Sequence, residues 1–200
     1  MSEISRLRIA LQKSGRLSED SFDLLEKAGL RVRVRSQRLI AIAENLPVEV
    51  LLVRDDDIPG LVMDGTVDLG IVGEGVLEET KLAREALGLN ASYKVSRRLD
   101  FGECRLGIAI PMNEPWQSPQ DLSGRRIATS FPNLLGRWMK EQGVDFETCV
   151  LTGSVEIAPR AGLALLSAFI DKMVQDSTDN NNDSGHDQHT FGTFLWEGAF

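Results

Sequence analysis

Short apolar runs of strand length alternate along this chain with segments of helical periodicity, and most runs open into a loop carrying charged or glycine residues. Residues 7–11, Leu-Arg-Ile-Ala-Leu, lead into Gln12-Lys13-Ser14-Gly15-Arg16, and Val48–Val53 leads into Arg54-Asp55-Asp56-Asp57. Between these two runs, Phe22, Leu24, Leu25 and Ala28 recur on one helical face. Strands joined through helices return parallel to one another, so the pattern predicts an α/β fold and not an all-β one. Ligands of open α/β sheets bind outside the carboxyl ends of the strands, which makes those loops the place to look for chemistry.

The 200 residues are 42% hydrophobic and 26% charged, which suits one substantial globular domain or two small ones. No apolar run approaches the roughly 20 residues that span a bilayer, and the polar start lacks a hydrophobic signal core, so no membrane association is expected. Cys104 and Cys149 have no metal-ligand spacing and give no disulfide framework, which makes a reducing cytoplasm the default. A formal net charge of −8 argues against a nucleic-acid-binding surface while leaving room for a local basic patch that holds a small polyanion.

Capping and periodicity sharpen the expected elements. Ser18 is expected to cap the first helix and Gly29 to end it. Residues 31–35 alternate Arg with Val and read as an exposed strand, followed by a second strand ending near Ala43. One of Asp55, Asp56 and Asp57 is expected to cap the helix that Pro59 opens, whereas Arg54, a cation just past a buried strand, is harder to explain as packing. Residues 67–73 read as a strand and 76–87 as a helix whose charges are solvated surface. The character of the chain changes near residue 97; strands at 104–110 and 127–130 follow, then a helix at 134–141 closed before Gly143. Thr129 and Ser130 fit either a phosphate contact or a simple helix cap. Lys13 and Arg16 fit either a ligand site or a solvated basic loop.

Residues 153–164, Gly-Ser-Val-Glu-Ile-Ala-Pro-Arg-Ala-Gly-Leu-Ala, lie between an apolar run at 149–151 and another at 165–170. They read as a loop joining a strand to a helix. A helix start offers free N–H groups and a positive dipole end to a phosphate, and glycine lets backbone approach an anion. Glu156 in the same loop suits hydrogen bonds from sugar hydroxyls, so the pairing suggests a sugar phosphate. The spacing is neither the P-loop nor the dinucleotide fingerprint, and an ordinary strand-to-helix turn is the alternative.

Together these motifs resemble the ATP phosphoribosyltransferase family, which catalyses the first step of histidine biosynthesis, and in particular its bacterial long form. The resemblance rests on Leu7-Arg8-Ile9-Ala10-Leu11-Gln12-Lys13-Ser14-Gly15-Arg16-Leu17, on Gln37-Arg38-Leu39-Ile40, on Val53-Arg54-Asp55-Asp56-Asp57-Ile58-Pro59-Gly60-Leu61-Val62, and on Val67-Asp68-Leu69-Gly70-Ile71. It continues through residues 97–102, Arg126-Ile127-Ala128-Thr129-Ser130 and the whole of 153–164.

The resemblance implies two α/β lobes like those of a type II periplasmic binding protein, incomplete here at the C-terminus, with the active site in the cleft between them. It also implies a reaction in which N1 of the adenine of ATP displaces pyrophosphate from C1 of phosphoribosyl pyrophosphate, with Mg²⁺ on the diphosphate. Positioning and electrostatic stabilisation should dominate such a step. By the same resemblance Glu156 holds the ribose hydroxyls, and Ala158, Arg160, Ala161 and Gly162 cradle the 5′-phosphate. Gly153, Ser154, Thr129 and Ser130 join that substrate-binding set, as do Lys13, Gly15, Arg16 and Asp68. Arg54 and Arg38 are the catalytic candidates, Arg54 first as stabiliser of the leaving group, and no metal ligands are assigned to the chain. ATP and phosphoribosyl pyrophosphate are the expected partners, and a homo-oligomer, hexameric in the family, the expected assembly.

The motifs cover about residues 5–164. Where the family continues with an acidic residue and an amphipathic helix, this chain has Leu165-Leu166-Ser167-Ala168-Phe169-Ile170, and residues 176–188 hold no apolar side chain. That stretch is expected to be disordered, and a frameshift, a stop in another frame or a fusion would each give such a join. The expected organisation is a first lobe at 1–96, a second at 97–170 carrying the phosphoribosyl pyrophosphate loop, and a disordered, non-family tail at 171–200. His186 and His189, with Asp183 and Asp187, lack a framework to fix metal geometry. A truncated, inactive fragment and a non-catalytic nucleotide- or anion-binding module of the same fold are the alternatives to a transferase.

Overall fold

The computed structural model describes residues 6–34, 39–111, 115–164, 166–172 and 191–195. The chain divides into two compact units, Met1–Gly102 and Glu103–Phe200, with the junction a little beyond the change of character near residue 97.

In the first unit, β1 (Leu7–Gln12), β2 (Ile40–Ile42), β3 (Val48–Val53) and β4 (Leu69–Gly70) form one sheet in the order β2-β3-β1-β4. β1 lies parallel to β3, from Leu7↔Val48 to Gln12↔Val53, and parallel to β4, while β2 is antiparallel to β3. Side chains alternate between the faces of a strand. Ile9, Leu11, Val48, Val50 and Leu52 therefore pack together with Leu25 of α1 (Arg16–Lys27). Ala10 faces the other way, onto Ile58 of α2 (Ile58–Met63) and Val67. Full burial of Leu11 or Ile58 contributes about 1.5–3 kcal/mol each, so burial on both faces fixes β1 as a central strand.

Several local expectations are corrected here. Gly15 (φ +115°), not Ser18, occupies the N-cap position of α1, and a Cβ on it would lie 2.7 Å from Gln12 Nε2. Ser18 lies within the first turn, its hydroxyl donating to the Lys13 carbonyl at 3.5 Å. The strand expected at 31–35 is reduced, among the described residues, to one bridge, Val32↔Ala43, and Arg33 pairs with Glu44 at 3.0 Å. The aspartates do not cap α2 through their side chains. Asp55–Asp57 form a 3-10 turn, and Asp57 stands at the N-cap position in αR geometry with no side-chain cap bond. The strand expected at 67–73 is shorter, although Asp68 and Ile71 still donate to the Arg8 and Ala10 carbonyls at 3.0 and 3.1 Å. The charges of α3 (Glu74–Ala86) are partnered, not merely solvated: Arg84, with 17% of its side chain exposed, holds Asp64, and Arg98 holds Glu74 at 2.6 Å.

In the second unit the order is β7-β6-β8-β5-β9, with β5 at Cys104–Pro111, β6 at Arg126–Thr129, β7 at Glu147–Val150, β8 at Leu166–Lys172 and β9 at Phe191–Leu195. β6 is parallel to β7 and β8, while β5 is antiparallel to β8 and β9. Ile108, Ile110, Ile127 and Leu166 pack against Leu135 and Met139 of α4 (Pro132–Gln142), which Gly143 (φ +67°) terminates. Before β6, Asp121 accepts backbone N–H bonds from Gln117 and Ser118 at 2.8 and 3.0 Å, which hold its carboxyl below the usual range.

The run at 165–170, expected as a helix, supplies strand β8 instead. Leu166, Ser167 and Ala168 are all buried, and a strand buried on both faces reads as one continuous apolar run, which periodicity alone cannot separate from a buried helix. Of the tail expected to be disordered, Phe191–Leu195 forms β9 against β5. Residues 173–190, including His186, His189, Asp183 and Asp187, lie outside the described residues. No described helix is long and apolar enough to cross a membrane.

Candidate functional site

Apart from Asp68, and from Arg38, which lies outside the described residues, the candidate residues fall into two groups, one in each unit, each at the carboxyl end of parallel strands. In the second unit Thr129 ends β6 opposite Val150 of β7. Leu151 then donates its N–H to the Thr129 carbonyl at 3.0 Å, so the 153–164 loop leaves the sheet beside the start of α4. Val155, Ala158 and Ala164 are buried against Ala128. These apolar anchors leave Gly153, Ser154, Glu156, Arg160, Ala161 and Gly162 exposed. Ser154 takes a left-handed conformation (φ 48°), unlike any other non-glycine among the described residues; such a backbone costs on the order of 1 kcal/mol and persists only where its surroundings hold it.

The loop is wound into turns: Ala158 donates to the Val155 carbonyl at 3.1 Å, Ala161 to Ile157 at 3.0 Å and Gly162 to Pro159 at 3.2 Å. Three N–H groups expected to cradle a phosphate are thus engaged within the loop, and β8 follows it where a helix was expected. The loop presents the Arg160 guanidinium and the Glu156 carboxylate to solvent. Thr129 is fully buried, its Oγ1 accepting from the N–H of Phe131 at 3.0 Å in a local turn; Phe131 stands at the N-cap position of α4, which has no side-chain cap bond, and half-buried Ser130 lies between the two.

In the first unit the Lys13 N–H donates to the Val53 carbonyl at 2.8 Å, joining the exits of β1 and β3. Gln12, Lys13, Ser14, Arg54, Asp55 and Asp57 line an open depression of about 440 Å³ there, with Leu39, Leu52 and Val53. Arg54 is exposed and held in a two-pronged bond, Nε to Asp56 Oδ1 at 3.0 Å and Nη2 to Oδ2 at 2.8 Å. The hydrogen bond and the charge of Asp56 raise the arginine above its already high ordinary pKa, so it stays cationic at any working pH. Gly15 is exposed in the same loop, and Arg16 opens α1; the Arg16 side chain and the whole of Arg38 lie outside the described residues.

Asp68 is placed elsewhere. Its Oδ2 accepts from the Arg8 N–H at 2.8 Å while its own N–H donates to the Arg8 carbonyl. Arg8 precedes the carboxyl end of β1 by four positions, roughly 13 Å of strand, so Asp68 stands at the opposite end of the sheet from Lys13 and Arg54.

Formal charges around the depression cancel, Lys13 and Arg54 against Asp55 and Asp57. The described residues contain no cluster of three or more His, Cys, Asp or Glu able to cage a metal. Mg²⁺ commonly binds through one or two carboxylates plus substrate phosphates, and Asp55 and Asp57 are the carboxylates of this lining. Gln12, Asp55 and Asp57 line the depression without having been singled out as candidates from the sequence, and Asp56 stands beside it, bonded to Arg54. Three consecutive aspartates after a strand-end arginine were a visible signal, masked by the cap statistics of aspartate. Gln12, whose Oε1 accepts the Leu17 N–H at 3.3 Å, gave no signal.

The sequence model of the family described as ATP phosphoribosyltransferase (HisG) matches residues 54–175, running past Ala164 and through β8. Among solved structures, the chain is similar to the ATP phosphoribosyl transferase (HisG:HisZ) complex from Thermotoga maritima, with 28% identity, 84% of this chain and 75% of that chain covered, and a TM-score of 0.66. It is also similar to the periplasmic aliphatic sulphonate binding protein SsuA from Escherichia coli, at 18% identity over 84% of this chain and 55% of that chain, with a TM-score of 0.50. The second likeness concerns the fold alone: an α/β architecture shared with periplasmic binding proteins. With a family match over more than half its length and catalytic-family motifs at its strand ends, this chain belongs to the ATP phosphoribosyltransferase family.

Proposed function

We propose that this chain transfers the phosphoribosyl group of phosphoribosyl pyrophosphate to N1 of the adenine of ATP, the first step of histidine biosynthesis. The observation that carries the reading is the 153–164 loop, pinned to Ala128 by Val155, Ala158 and Ala164 while Glu156 and Arg160 stay exposed. In the reaction, the N1 lone pair forms a bond to C1 of the ribose as the bond from C1 to the diphosphate oxygen breaks. Pyrophosphate leaves with that electron pair.

The residues of the chain bind, orient and neutralise. Glu156 accepts hydrogen bonds from the ribose hydroxyls, and Arg160 with the 161–162 backbone takes the 5′-phosphate beside Ser130. That role asks the loop to unwind enough to free the Ala161 and Gly162 N–H groups. Lys13 and Arg54 meet the phosphate oxygens on which negative charge grows, an electrostatic role that acts in the transition state; Arg16 and Arg38 complete the set of cations. Mg²⁺ enters as part of the substrate and offsets diphosphate charge. The same reading places the protein in the cytoplasm and in a homo-oligomer.

The test is to incubate the full chain with ATP, phosphoribosyl pyrophosphate and Mg²⁺ and follow products by mass spectrometry. An ATP adduct carrying one phosphoribosyl group, formed one-for-one with pyrophosphate, is the expected result. Pyrophosphate without the adduct would mean hydrolysis, and tight binding of either substrate without turnover would make this a binding module.

A further inference from the structure

We propose that Asp56 is a positioning residue that holds Arg54 ready for the leaving diphosphate, a role that rests on the transferase reading of the strand-end site. The carboxylate engages Arg54 side-on, through Nε at 3.0 Å and Nη2 at 2.8 Å. A guanidinium carries five N–H donors in one rigid plane, so this bond leaves its other edge, Nη1 and the outer Nη2 proton, to a second anion. Arg54 is among the residues lining the 440 Å³ depression and Asp56 is not, so the carboxylate that holds the arginine does not itself occupy that lining.

Backbone makes the grip local. Arg54 is extended (φ −73°, ψ 151°) as the N-cap of the Asp55–Asp57 3-10 turn, and that turn brings the residue two positions on back beside its guanidinium. With 71% of the Arg54 side chain exposed, an ungripped arginine would sample many rotamers, and ordering it would fall on the binding step. Pre-organisation removes that cost. Fixing the plane also fixes where a bidentate contact with phosphate oxygens can form.

The experiment uses the full chain and magnesium pyrophosphate as the probe, titrated calorimetrically, with thermal melts of every variant. Asp56→Ala should weaken pyrophosphate about tenfold, the size of one pre-organised charge-assisted contact. Asp56→Glu, which keeps both oxygens, should stay within about threefold of the parent. In an Arg54→Lys background, where no planar fork exists to be gripped, Asp56→Ala should change affinity by less than about twofold.

Equal or tighter binding by Asp56→Ala would overturn the proposal, because Asp56 would then be a bystander or a competitor for the arginine. A tenfold loss that persists with Lys at position 54 would overturn it too, since Asp56 would not be acting through the guanidinium. Should the predicted pattern hold without formation of the ATP adduct, the transferase reading fails while the grip stands. Normal turnover with pyrophosphate binding indifferent to Asp56 gives the reverse.

Discussion

Leu151 and Thr129 share a single backbone hydrogen bond, N–H to carbonyl at 3.0 Å, through which the 153–164 loop enters against the end of β6. The loop's own anchors lie just beyond: Val155, Ala158 and Ala164 close over Ala128. Ala158 is fully buried there, in contact with the Ala128 cluster. Ala158→Leu should destabilise the second unit by about 1–3 kcal/mol through overpacking, read as a lower denaturation midpoint, and should displace Glu156 and Arg160 with it. A stability change under about 0.5 kcal/mol would show that the loop is not pinned as described.

Arg160 is exposed on the same loop, so removing it should leave stability within about 0.5 kcal/mol of the parent. Its contribution belongs to the ligand. Arg160→Ala should raise the KM for phosphoribosyl pyrophosphate at least about tenfold, the loss of one charge-assisted phosphate contact. Unchanged KM would remove Arg160 from the site.

Arg84 links three pieces of the first unit. Its guanidinium holds Asp64 just after α2, its Nε donates to the Asn90 carbonyl at 2.5 Å, and Asn90 in turn donates to the Met63 carbonyl at 2.5 Å. Asp64 is 53% exposed, so the ion pair alone contributes little; the bond to the Asn90 carbonyl matters more. Arg84→Ala should cost about 1–3 kcal/mol in urea unfolding of the first unit, and Arg84→Lys should recover only part of it.

Tyr93 is the single tyrosine, which makes its titration easy to read. Desolvation first, and then its hydrogen bond to Glu78 at 2.8 Å and that carboxylate's charge, push its hydroxyl up to about 12. A phenol whose folded pKa is raised stabilises the fold in its neutral form, fully below its unfolded pKa near 10 and progressively less as pH rises toward 12. Absorbance of the phenolate should therefore show a midpoint near 12 in the folded protein, moving down in Glu78→Gln. A midpoint near 10 in the parent would show that the hydroxyl is neither shielded nor bonded.

Much of the fold was legible because its signals are local. Val48–Val53 is a nearly continuous apolar run, Glu49 excepted, of the length of a strand packed on both faces, and Gly143 after α4 and Gly29 after α1 mark helix ends through left-handed geometry. The start of α1 differs because the Ser18 hydroxyl resembles a cap in one dimension, whereas the N-cap position takes a positive φ (+115°) that favours Gly15. β8 was misread because an apolar strand buried on both faces by distant residues carries no period of its own. Lys13 and Arg54 in the first unit, and Glu156 and Arg160 in the second, are legible as charges after strand ends. The displacement of Asp68 to the far end of β1 depends on register, and the grip of Asp56 on Arg54 depends on a 3-10 turn; neither is written in spacing.

On the transferase reading, the 153–164 loop holds a phosphoribosyl group through Glu156. Pyrophosphate release measured against phosphoribosyl pyrophosphate concentration, at saturating ATP and Mg²⁺, tests it in the parent and in Glu156→Gln. Turnover is expected in the parent, with a loss of about 10–100-fold in kcat/KM for the variant at unchanged melting temperature, the cost of hydrogen bonds to a charged acceptor. Turnover equal in both proteins would contradict it.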